Sequence, residues 1–217
     1  MNALSSATAV VQHHVTGANQ VDEWGMDDDA VALAQALAAL RWSATVTGAA
    51  HVPGSGPVLL VANRRPLDGT PLLVATTIGK ATGRPVRFTG IIDIAPAGPL
   101  LRRAGGVVAR PDEVTGLLRA GALAAVWCSS TLLGRPRIGL PPAEYLNAAL
   151  ESGAAVLPVA VIGGPFARRV DVAIGAPLAT DATRGPLATA ELADAARLAI
   201  QRLIDESAPE SSRFRLR

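Results

Sequence analysis

Val58-Leu-Leu-Val-Ala62 is the stretch with the fewest ways to fold. It is a short apolar run with β-branched residues, preceded by the turn-forming Gly54-Ser-Gly-Pro57 and ended by the polar Asn63-Arg-Arg-Pro-Leu-Asp-Gly69. Such a run reads as a buried strand. Pro66 blocks a simple helical continuation. From Pro71 the spacing of Leu72, Leu73 and Thr76 predicts a helix, with Thr70 as its cap and Pro71 at its first position. Ligands of α/β sheets sit outside the carboxyl ends of the strands, so the loop from Asn63 to Gly69 is where chemistry is expected.

The rest of the chain alternates in the same way. Asp27-Asp-Asp29 starts a helix to about Arg41, with acids at its positive end and Arg41 at its negative end. Leu33, Leu37 and Leu40 share one face, which either docks on the domain or lies on lipid. Docking is the expectation, because the polar face lacks basic residues. Strands are expected at Ser43 to Val46, Val86 to Phe88, around Val107, at Ala124 to Trp127, Ala155 to Ile162 and Val170 to Ile174. Pro158 points to an edge strand or a bulge for the fifth of these. Helices are expected after Leu100, Pro111 and Tyr145, and from about Thr189 to Glu206 with Leu192, Ala196, Ala199 and Leu203 buried. This pattern gives a single α/β domain with a mixed, mostly parallel sheet flanked by helices. Residues 1–20 are expected to be poorly ordered and residues 207–217 to form a basic tail.

Composition narrows the partners. The 217 residues suit one domain with a substantial core, built from Ala, Val, Leu and Ile because aromatics are only 3%. With 20 basic residues against 18 acidic ones, net charge gives no ground for a nucleic-acid partner. One cysteine, Cys128, excludes an internal disulfide and fits a reducing compartment. No run approaches the roughly 18 apolar residues of a membrane span. A cytoplasmic protein is expected, touching at most the inner face of the plasma membrane. His13 and His14 lack further ligands at useful spacing, so no metal is expected. His51, before Val52-Pro53, reads as a surface residue.

Several blocks, in order, resemble the glycerophospholipid (lysophosphatidate) acyltransferases. That family has a strand ending in Val-x-Asn, then His, four residues and Asp. Val61-Ala-Asn63 and Leu67-Asp-Gly69 match, but the histidine's place falls on Asn63 or, with one residue deleted, on Arg64. The approach to Arg110 through Gly105-Gly106 resembles the second motif. Trp127-Cys-Ser-Ser-Thr131 falls on the third, keeping its aromatic and threonine. Val156-Leu-Pro-Val159 and Ile174-Gly-Ala-Pro-Leu178 resemble the later strands. Asp22-Glu-Trp-Gly25 resembles a lead-in of some actinobacterial members, read here as an N-terminal anchor.

The resemblance implies a glycerolipid acyltransferase-like domain over residues 21–206, with acyl-CoA as co-substrate and a lysophospholipid as acceptor. In the family a histidine near its neutral pKa deprotonates the acceptor hydroxyl and the aspartate fixes its tautomer. Asp68 would then be half of a degenerate dyad. Arg64, Arg65, Arg110, Ser129, Ser130 and Thr131 would be the substrate-binding set. Between Arg64 and Arg137 stand ten arginines and one lysine against four acids, which favours a retained anion site. The leading reading is a non-catalytic lipid or acyl-CoA binder, or the partner of an active relative. The others are an acyltransferase using a non-standard base and, last, an enzyme with Cys128 as nucleophile.

Overall fold

The computed structural model describes residues 21–64, 69–91, 97–128, 138–164, 167–180 and 185–207. Expectations for residues 1–20 and 208–217, the two adjacent histidines included, lie outside the described residues.

Seven strands share one sheet: β1 (Ser43–Thr47), β2 (Val58–Ala62), β3 (Val86–Thr89), β4 (Gly106–Val107), β5 (Leu123–Trp127), β6 (Ala155–Ile162) and β7 (Arg169–Ile174). Their order is β1-β7-β6-β2-β5-β3-β4, and every pairing except β6 with β7 is parallel. The helices are α1 (Asp28–Arg41), α2 (Thr70–Thr82), α3 (Ala97–Arg103), α4 (Pro111–Arg119), α5 (Ala143–Ser152) and α6 (Pro186–Ser207). A 3-10 turn spans Ala49–His51. The chain forms a single α/β domain.

β2 lies inside the sheet, and all five of its residues are fully buried. Val58, Leu60 and Ala62 belong to the core under α2, with Leu73, Val74 and Ile78. Leu59 and Val61 face Val114 and Leu118 of α4, Leu146 of α5, and Ala196 and Ile200 of α6. A strand covered on both faces has no polar side to show, which is why its sequence is a continuous apolar run.

Three local expectations are corrected. α1 has Asp27 as its N-cap, the carboxylate accepting from the amides of Asp29 and Ala30. It docks, however, through Ala34 and Ala38, leaving Leu37 53% and Leu40 52% exposed. Alanines let α1 lie closer to α2 than a leucine row would, since helix separation depends on the side chains at the contact. The second correction concerns Pro158, because β6 is flanked by both β2 and β7 and its register with β2 runs unbroken through the Pro158–Val61 pair. The Pro158 carbonyl accepts from the Gly175 amide at 2.9 Å, so the donor that proline lacks would also face the β7 side. The β7 ladder has already ended there, at Ile174 opposite Val159. The proline therefore leaves the β2 ladder whole, and Gly175 leaves room for its ring. Third, α2 starts one residue earlier than expected, with Gly69 as N-cap and Thr70 buried in the first turn.

Strand direction decides where function can sit. β2 to β6 all run the same way, so Asn63, Gly90, Val108, Cys128 and Gly163 leave the sheet at one edge. β1 and β7 run oppositely and begin at that edge, bringing Trp42 and Arg168 to it.

Candidate functional site

The two residues that compete for the family's histidine position have different surroundings. Asn63 continues the sheet with its side chain: Nδ2 donates to the Val161 carbonyl at 3.0 Å, and Oδ1 accepts from the Val161 amide at 2.7 Å. An amide held on both sides is a positioning device with no proton to exchange. Arg64 is exposed, and its Nη1 lies 3.9 Å from where a Cβ on Gly90 would stand. Trp127 borders the same gap at 3.8 Å, its indole Nε1 donating to the Thr89 carbonyl at 2.9 Å. Gly90 has φ +84, a conformation that side chains rarely adopt, so this gap stays open above the end of β3. Arg64 has no ion pair among the described residues.

Arg110 leaves the same edge after β4, with β5 and β3 between it and β2. It is exposed, caps α4 with its backbone, and donates its amide to the Val108 carbonyl at 2.7 Å. Glu113 accepts from the Val108 amide at 3.1 Å, which fixes the corner between β4 and α4. Thr89 pairs with Val107, so Gly90, under Arg64, is one strand spacing (about 4.8 Å) from the start of the Arg110 corner.

Cys128 also ends a strand at this edge, but it is 3% exposed and packs on the α4–α6 side. Burial pushes its thiol up to about 12. A thiol protonated at neutral pH is a poor nucleophile, which argues against the Cys128 mechanism. His51 follows β1 and so lies at the opposite edge, its Nδ1 2.9 Å from the Ile174 carbonyl. It is the one histidine among the described residues, and it is remote from Arg64. Arg84 is also spent at the opposite edge, donating to the carbonyls of Pro53, Gly56 and Gly121. Among the described residues no three His, Cys, Asp or Glu side chains gather as a metal ion needs.

Arg65, Asp68, Ser129, Ser130 and Thr131 lie outside the described residues, as do Arg135 and Arg137. Of the candidates, Asn63, Arg64 and Arg110 are thus placed, all at the carboxyl edge.

No family model matches the chain, and no curated protein matches it in sequence. Among solved structures it is similar to PlsC, the 1-acyl-sn-glycerophosphate (LPA) acyltransferase from Thermotoga maritima. The likeness covers 92% of this chain and 87% of that one, with a TM-score of 0.65 and 17% identity. The fold is that of a glycerophosphate acyltransferase.

Sequence reasoning passed over three residues at this edge of the acyltransferase fold. Trp42 lies against Gly69, where a Cβ would stand 2.7 Å from Cη2 of the ring. That contact fixes where the chain enters α2 after the Asn63–Gly69 loop. Arg41 stacks over the Trp42 ring at 5.4 Å and donates to the Ala167 carbonyl. Gly90 is the third. A tryptophan just before a strand, with glycines at loop ends, was the available signal. It gains meaning only when the partners, far apart in sequence, are known. A separate cleft of about 830 Å³ on the α4–α6 side, lined by Arg119, Asn147, Thr189 and Asp194, contains none of the candidates.

Proposed function

We propose that the chain is an acyltransferase-fold protein of glycerolipid metabolism that binds a lysophospholipid or acyl-CoA through its phosphate and lacks the base needed for acyl transfer. It acts as a lipid binder, or as the partner of an active relative. The observation that carries this reading is the contrast between Asn63 and Arg64. Asn63 is bonded into the sheet, and Arg64 stands as an exposed cation beside Gly90, with no ion pair among the described residues. An arginine in the base's position does not deprotonate a hydroxyl, since a guanidinium keeps its proton in proteins and has no acceptor to offer. It does hold a phosphate, and its planar fork can bond two oxygens at once. Arg110, on the adjoining corner, supplies a second cation. Asp68, Arg65 and the Ser129–Thr131 loop complete the site in this reading.

No helix among the described residues is long and apolar enough to cross a membrane. Peripheral contact with the inner face of the plasma membrane is supported by the exposed Leu37 and Leu40 of α1, with Arg41 and Arg168 beside them. Apolar anchors with adjacent cations suit an anionic lipid surface.

Calorimetry with a short-chain lysophosphatidate tests the binding half. Arg64→Ala and Arg110→Ala are each expected to weaken affinity about tenfold or more, a hydrogen bond to a charged group being worth about 1.5–3 kcal/mol. Unchanged affinity in both variants would place the anion elsewhere.

A further inference from the structure

The lead-in Val21 to Asp27 touches β3, the end of α3, the turn into β4, and α4. It is folded on itself by Asp22, whose carboxylate accepts from the Trp24 amide at 3.0 Å and the Met26 amide at 2.9 Å, with Gly25 at φ +80 closing the turn. The other oxygen of Asp22 meets the guanidinium of Arg87, which is 4% exposed in the middle of β3. The second terminal nitrogen of Arg87 has no partner among the described residues, so Asp22 is what keeps this cation tolerable inside the protein.

Three further contacts follow from that seat. The Asp27 amide donates to the Arg103 carbonyl at the end of α3, at 3.0 Å. Met26 sulfur lies 3.4 Å from where a Cβ on Gly105 would stand, at the turn into β4. The Trp24 ring rests on Gly116 of α4, where a Cβ would lie 2.6 Å from Cη2. In sequence, Arg110 lies between Gly105 and Gly116, where those last two contacts are made. β4 itself is only two residues long and pairs on one side, through Gly106 and Val107, so its ladder alone is a weak support for the corner that carries Arg110.

We infer that Asp22 and Trp24 are positioning residues for Arg110, the lead-in acting as a clamp that holds the β4–α4 corner against β3. The inference rests on the reading of Arg110 as a phosphate-binding residue. It also explains Gly116, a glycine inside a helix where alanine would favour the helix: its bare surface is the seat for Trp24.

A double-mutant cycle separates positioning from general support. Gly116→Ala adds a methyl group where the Trp24 ring lies, yet it improves the propensity of α4. It is expected to weaken short-chain lysophosphatidate binding about five- to tenfold, the size of coupling found between groups acting as one unit. In an Arg110→Ala background the same substitution should cause no further loss. Trp24→Ala should repeat the pattern, and it takes the place of Gly116→Ala should that variant fail to fold. Losses that simply add to that of Arg110→Ala, or an unchanged affinity in Gly116→Ala and Trp24→Ala, would overturn the inference alone. An unchanged affinity in Arg110→Ala would overturn it together with the phosphate reading.

Discussion

Asn63 and Arg64 show how one residue's place in a sheet changes its chemistry. The tie from Asn63 to both backbone groups of Val161 lengthens the β2–β6 pairing by one side chain and aims the next residue outward. Asn63→Ala should therefore cost about 1–3 kcal/mol in urea unfolding with an unchanged slope, since it leaves the Val161 amide and carbonyl unpaired. A loss below a few tenths would mean that water replaces the amide. Cys128 gives a pH test. Its folded value, about 12, is above the ordinary 9.0. Between those two pH values the unfolded chain ionises and the folded one does not, so stability should fall as pH rises through that window. Cys128→Ala should flatten the fall, and native protein should resist iodoacetamide near neutral pH. The alkylation of native protein at the rate of a free thiol would contradict the burial argument. Neither residue's role could be read from the sequence, because the Val161 partner is 98 positions away and the cysteine's surroundings come from three helices.

At the scale of elements, most of the chain was readable because each segment carries its own period. The strands are apolar runs between turn residues, and α4 announces itself by Pro111 at its start and Val114, Leu117 and Leu118 on one face. Where the reading failed, a neighbour decided. α1 has two competing faces, one of leucines and one of alanines, and close packing on α2 selected the alanines. Pro158 was judged by its own strand, but the end of β7 decides whether its missing donor matters. The exposed leucines carry a test of peripheral binding. Replacing Leu37 and Leu40 with Ser should change stability by no more than about 0.5 kcal/mol, as surface substitutions usually do. The same variant should lose sedimentation with anionic vesicles. Retained sedimentation would remove α1 from any membrane-facing role.

For the molecule as a whole, the alternation of strand and helix gave the α/β domain, and blocks in the right order gave the acyltransferase fold. The site was less readable. A sheet edge gathers residues from loops far apart in sequence, and the glycines and tryptophans that shape it, Gly69 with Trp42 and Gly90 with Trp127, have no local period to betray them. The central claim, an acyltransferase fold that binds without transferring, is a statement about rate. Losing a general base typically costs about 10²–10⁴ in rate. The direct measurement is phosphatidate formation from acyl-CoA and lysophosphatidate by the purified protein, beside an Asp68→Ala control. The account predicts equal rates for the two, at the level of the protein-free reaction. Clear turnover that disappears in Asp68→Ala would contradict it.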